Sequence, residues 1–154
     1  MGLYSHKIKA LGELADGATI AVPNDPTNES RALDILVKEG LLTFKDVDFK
    51  TVVDIIENPK NLKIKELDAP QLPRVLDEVD AAIINTNYAL SANLNPLKDA
   101  IIIESKDSPY ANIVVVKKGN ENKDSIKALN EVINSNEIKT FINEKYQGSI
   151  IEAF

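Results

Sequence analysis

Cysteine is absent from all 154 residues, histidine occurs once and glycine six times. Each shortage excludes a chemistry. Without cysteine there is neither a disulfide framework nor a thiolate metal site. The single histidine, His6 in a polar N-terminal stretch, reads as a bystander. Six scattered glycines spell neither a GxGxxG turn nor a P-loop, and no nucleophile elbow is present. No cofactor and no metal is expected, and an enzyme would have to work with carboxylates alone. Long apolar runs are also missing: "MGLYSHKIKALGEL" at the start holds nothing that would serve as a signal-peptide core or a membrane span. Positive charge is short as well, with 18 basic against 24 acidic residues and a net charge of -6. Phosphate neutralisation needs clustered Lys and Arg, so nucleic acid is not an expected partner.

What is present suits a folded protein. With 44% apolar and 27% charged residues the chain lies in the globular range, and 154 residues suffice for one domain or a pair of small lobes. Short β-branched runs alternate with helical stretches, which predicts an α/β architecture. Strands are expected at "ATIAVP" (18–23), "LKIKEL" (62–67), "AAIINT" (81–86), "AIIIES" (100–105) and "NIVVVKK" (112–118). The best-marked helix begins at Asp25-Pro26, an N-cap followed by a first-turn proline, and stops before Gly40. Further helices are expected over 51–59, ending before Pro59, over 68–79, and in two C-terminal segments, 123–135 and 136–148, the second closed by Gly148.

Two strand ends present polar groups in the same way. After "TIAV" come Asn24, Asp25 and Asn28, with Arg31 three residues beyond Asn28 on the same helical face. A helix N-terminus offers orphan N–H donors and a favourable dipole to an anion, and a guanidinium adds a bidentate clamp for a carboxylate. After "AAII" come Asn85, Thr86, Asn87 and Tyr88, amides that both donate and accept and so suit a zwitterion held without chemistry. A plainer alternative stands beside each: the first cluster caps its helix while Arg31 lies in solvent, and Thr86 or Asn87 caps another. A third stretch, 104–116, carries a turn at Asp107-Ser108-Pro109 and a tyrosine, Tyr110, that either lines a pocket or packs.

The blocks "ATIAVPNDPTNESRAL", "ENPKNLKIKELDAPQLPRVLDEVDAAIINTNYAL", "DSPYANIVVV" and "FINEKYQGSIIEAF" resemble, in order and spacing, the NlpA-type methionine-binding lipoproteins of bacterial ABC importers. The resemblance covers essentially the whole chain. It implies a type II periplasmic-binding-protein-like α/β fold, a carrier and not an enzyme, L-methionine or a similar amino acid as ligand, and an ABC permease as partner. Arg31 matches the family's arginine for the ligand carboxylate, Asn85 the asparagine that contacts the main-chain groups, and Asn28 lies in the matching block as their neighbour.

The family begins with a signal peptide, a lipid-bearing cysteine and most of a first lobe, so the intact proteins are lipid-anchored outside the cytoplasmic membrane; this chain shows neither that peptide nor that cysteine. The resemblance therefore implies a truncated form, with 1–10 as the end of the first lobe and hinge, 11–100 as the second lobe, and 101–154 as the hinge return and the C-terminal helices of the first lobe. Apolar faces left uncovered would then drive a homodimer or a domain-swapped assembly. The alternative is an interaction or regulatory module, or a self-associating fragment that binds no ligand.

Overall fold

The structure, a computed structural model, describes residues 1–105 and 108–154. The chain divides into two compact units, the first Met1–Ser105 and the second running from there to Phe154.

The first unit is built on a five-stranded sheet in the order β5-β2-β6-β1-β7. β1 (Gly2–Tyr4) is followed by β2 (Thr19–Pro23) and α1 (Pro26–Lys38). A two-stranded ribbon comes next, β3 (Thr43–Phe44) against β4 (Ile55–Glu57), then β5 (Lys63–Leu67) and a 3-10 helix, Ala69–Val75. The unit closes with β6 (Ala81–Ile84), α2 (Thr86–Ser91), α3 (Pro96–Asp99) and β7 (Ala100–Ile103). β2 runs parallel to both β5 and β6, whereas β1 is antiparallel to β6 and β7. All the strands of this sheet except β1 thus point the same way and end at one edge.

Alternation along the central strands explains the sheet's two buried faces. Ile20 and Val22 of β2 and Ala81 and Ile83 of β6 join Leu33 and Leu36 of α1 in one core, while Ala21, Ala82 and Ile84 pack with Leu72, Leu76 and Ala89 in the other. Strands buried on both faces read as continuous apolar runs, which is why "TIAV" and "AAII" look as they do. Each fully buried Leu or Ile stabilises the fold by roughly 1.5–3 kcal/mol. The sheet also needs one glycine for close approach: a Cβ on Gly2 would sit 3.1 Å from the Ile102 carbonyl oxygen and 3.3 Å from the Ala100 Cβ.

α1 follows its sequence signals. Asp25 caps it by accepting from the Asn28 N–H at 3.1 Å, Pro26 opens the first turn, and Gly40 adopts φ +69° just past the end. The expected helix over 51–59 does not form. Thr51 and Asp54 close a single 3-10 turn, Val52–Asp54, through a capping box with Oγ1 to Oδ2 at 2.7 Å, and the β-branched Ile55 and Ile56 then enter β4. The segment 68–79 is likewise a 3-10 helix, Ala69–Val75, and not a longer α-helix; Pro73 inside it cannot donate to a preceding carbonyl.

The second unit contains α4 (Asp124–Ile133) and α5 (Asn136–Tyr146), with Ser135 capping α5. Left-handed Gln147 and Gly148 follow α5. The expected strand over 112–118 is not a strand. Among its described residues this unit has no other strand to pair with, and an extended run without a ladder partner leaves its N–H and C=O groups to water. Ile113 and Val115 are accordingly exposed. Part of the expected turn, Asp107, lies outside the described residues; Tyr110 belongs to the second unit, its N–H 3.4 Å from the Ser108 Oγ.

Candidate functional site

The strand ends converge. β2 stops at Pro23, β6 at Ile84 and β7 at Ile103, and the residues leaving the sheet there are Asn24, Asn85 and Glu104. The carboxyl edge of parallel strands is where open α/β sheets receive ligands. The first turn of α1 opens on the same edge and carries Asn28 and Arg31.

Asn85 occupies the N-cap position of α2, yet its side chain makes no capping bond. Instead its Nδ2 donates to the Asn28 Oδ1 at 2.8 Å. The N-cap position thus lies one residue before Thr86 and two before Asn87, where the cap was expected, and the Asn85 amide reaches across the sheet edge instead. Asn28 in turn donates from Nδ2 to both Asp25 oxygens, at 3.0 and 3.1 Å. The Asn85 Oδ1 is buried and finds no hydrogen-bond partner among the described residues. A buried acceptor left unmet costs about 1–3 kcal/mol, so a donor brought to it is favoured.

Arg31 does not lie in solvent. Its Nε donates to both oxygens of Glu104, at 2.7 and 3.0 Å, and its Nη2 donates to Oε2, with the Arg31 side chain 21% and the Glu104 side chain 10% exposed. The Met1 amino group also reaches Glu104 Oε2, at 3.1 Å. A bidentate pair of this kind fixes the guanidinium plane.

Of the residues singled out from sequence, Asn28 and Asn85 are brought into direct contact, and Arg31 sits one helical turn beyond Asn28. Glu104 was missed. Its signal was a lone acid directly after "AIII", the same position that Asn24 holds after "TIAVP" and Asn85 after "AAII". His6 pairs with Asp77, Nδ1 to Oδ1 at 2.7 Å, well apart from this cluster in sequence and on the opposite end of β1 from Glu104. Glu29, buried on the far side of α1's first turn, accepts from the Val52 N–H, and burial together with the neighbouring Glu66 charge pushes its carboxyl above the usual range. Among the described residues no group of three or more His, Cys, Asp or Glu could hold a metal ion, and no helix is long and apolar enough to cross a membrane.

Arg31, Glu104, Asn28 and Asn85 thus gather a guanidinium, a carboxylate and two amides at one strand edge. Comparisons with known proteins agree with the architecture. The chain is 47% identical over 153 residues to the probable D-methionine-binding lipoprotein MetQ of Pasteurella multocida, and 46% identical over 155 residues to D-methionine-binding lipoprotein MetQ of Escherichia coli K12. Each alignment takes in 98% of this chain, but only 55% and 57% of the relative, so the chain spans little more than half the length of these proteins. Among solved structures, a nutrient-binding protein from Burkholderia cenocepacia bound to methionine superposes with a TM-score of 0.94 at 51% identity, covering 99% of this chain and 66% of that one. A crystal structure of the methionine-binding protein MetQ gives 0.89 at 45%, covering 99% and 64%. The mixed α/β fold is that of a periplasmic-binding-protein-like lobe. The NlpA lipoprotein family model matches residues 1–154, and the chain belongs to that family.

Proposed function

We propose that this chain forms part of the solute-binding component of an ABC importer and holds methionine, or a closely similar amino acid, at the carboxyl edge of the five-stranded sheet. Arg31 takes the ligand carboxylate beside Glu104, and Asn85, steadied by Asn28, takes the amino group. The observation that carries this reading is the buried Asn85 Oδ1 without a partner among the described residues, at the same strand edge as a guanidinium already held in plane. The relatives named as methionine-binding support the choice of ligand, and the name of the family supports lipid anchoring of the intact protein outside the cytoplasmic membrane. Its partner is then a membrane permease, and the chain carries its ligand without transforming it. On this reading residues 1–10 are the end of a first lobe and its hinge, and 101–154 the hinge return and the C-terminal helices of that first lobe.

Isothermal titration of L- and D-methionine into the purified chain tests this, with Arg31→Met as control. Saturable heat that disappears in the variant is expected. Equal heats for both proteins, or none for the wild type up to millimolar ligand, would remove methionine from the account.

Self-association is a second part of the proposal, favoured by one observation: Ile113, Val115, Val132 and Phe141 are half or more exposed in the second unit. Apolar surface of that kind drives assembly. Sedimentation at micromolar concentration is expected to show a dimer or larger species, and a single monomeric boundary would sink it.

A further inference from the structure

The amides at the sheet edge form a chain with a direction, and that direction has an origin. Asp25 caps α1, and an ionised carboxylate only accepts. Turning the Asn28 amide around would set its Oδ1 against the Asp25 oxygens that now lie 3.0 and 3.1 Å from its Nδ2, oxygen against oxygen. Asn28 is thereby obliged to show its Nδ2 to Asp25 and its Oδ1 to Asn85. Asn85 must then answer with its Nδ2, which it does at 2.8 Å. One possibility is left for the other end of Asn85: a buried oxygen, with no donor among the described residues.

We infer that Asp25 is a positioning residue that, acting through the Asn28 amide, sets the polarity of Asn85 so that the site accepts a hydrogen bond from its ligand and selects molecules bearing an ammonium group over those bearing another acceptor. An isolated asparagine shows either end of its amide with equal ease, so Asn85 alone cannot discriminate. The capping carboxylate, two residues removed from the ligand, supplies the discrimination. The choice of ligand here rests on the methionine reading above; the direction of the relay does not.

The test uses the whole chain with two substitutions at one position. Asp25→Ser keeps a capping side chain but replaces an obligate acceptor by a hydroxyl that also donates. Asp25→Asn keeps an acceptor turned to the helix N-terminus, because the Asn28 N–H holds its oxygen there. The first readout needs no ligand: exchange of the side-chain amide protons of Asn85, followed by nitrogen-edited NMR. We expect one slowly exchanging Asn85 proton in the wild type and in Asp25→Asn, and exchange at least about tenfold faster in Asp25→Ser. Unaltered Asn85 protons in Asp25→Ser, with α1 intact by circular dichroism, would overturn the relay whatever methionine does.

The second readout is the preference for methionine over its deamino analogue, which keeps the carboxylate and thioether. That preference is expected to fall about ten- to hundredfold in Asp25→Ser and to be retained in Asp25→Asn, the size set by one hydrogen bond to a charged group. Equal preference in all three proteins would overturn the selectivity. A wild type that binds neither compound but shows the exchange pattern overturns the methionine reading and upholds the relay.

Discussion

The two units are written with the same local vocabulary and differ in what their apolar residues touch. In Met1–Ser105 the side chains of β1, β2, β6 and α1 bury one another on both faces of a sheet, and Leu3, Ile20, Leu33, Leu36, Ile83 and Ile84 are sealed from solvent. In the second unit α5 has a capped start and a left-handed end, and both α4 and α5 carry apolar stripes of helical spacing, but neither helix buries a residue. Leu129, Val132 and Phe141 remain 41%, 60% and 50% exposed. Local signals are therefore enough to end and begin helices, while stability is decided by a surface for the stripe to pack on.

The largest effects should separate the units most sharply. Leu33→Ala removes a fully buried side chain from the core beneath α1 and is expected to cost about 2–5 kcal/mol in urea unfolding. Phe141→Ser, half exposed and edge-on to Tyr146 with ring centroids 6.5 Å apart, should move stability by no more than about 0.5 kcal/mol in protein dilute enough to be monomeric. Comparable losses would mean that α5 is covered in solution, as self-association would require, and repeating Phe141→Ser at two protein concentrations distinguishes that case.

Next in size comes the ion pair at the strand edge. Arg31→Met leaves Glu104, only 10% exposed, without its bidentate partner, and a loss of about 2 kcal/mol is expected together with the loss of ligand heat. Glu104→Gln should cost less, and in a double-mutant cycle the two substitutions together should cost less than their sum. Strict additivity would show that the pair contributes nothing beyond its separate members.

Much of this was legible in the sequence, for a physical reason: where a signal is local, it survives reading along the chain. The Asp25-Pro26 start and the Gly40 stop hold, and four of the five expected strands form, each one or two residues shorter than expected. The failures lie where a distant partner decides. "NIVVVKK" has strand composition but no ladder to join, whereas "GLY" has little strand character and becomes a central strand because β6 and β7 flank it. "TVVDIIENP" has helical spacing, yet the Thr51–Asp54 capping box ends the turn and pairing with β3 claims the rest. At the site, Asn28, Arg31 and Asn85 were visible as polar groups after apolar strands; that Glu104 closes on Arg31 across 73 positions was not.

Helix caps sharpen the contrast at about 1 kcal/mol. Ser135 accepts from the Ile138 N–H at 3.3 Å, and Ser135→Ala removes the contact that opens α5. With no buried residue to hold it, α5 should fray: amide exchange through Ile138 and Lys139 is expected to accelerate while the urea midpoint of the first unit stays fixed. Asp25→Ala, by contrast, should lower the unfolding free energy of the whole first unit by a similar amount without local fraying, because α1 is pinned by Ala32, Leu33, Ile35 and Leu36. A midpoint shift in Ser135→Ala would show that the units unfold together.

The smallest expected effect is a difference in how the units answer pH. Glu29 is buried, and its carboxyl is raised above its ordinary value chiefly by that burial and then by the charge of Glu66, with Asp25 adding to it. A raised acid holds its proton more tightly folded than unfolded, so its contribution is fully present below the unfolded value and is lost as pH rises through the folded one. Glu152 in the second unit is shifted the other way, first by a hydrogen bond with its own backbone and then by Lys139, 3.0 Å away, and contributes nearer neutrality than in acid. Glu29→Gln keeps an oxygen for the Val52 N–H while abolishing the buried charge. It should therefore raise the urea midpoint of the first unit at about pH 7 and leave it unchanged at about pH 3, where the wild type is already protonated. A gain that is the same at both pH values would show that shape, and not charge, sets the behaviour of that position.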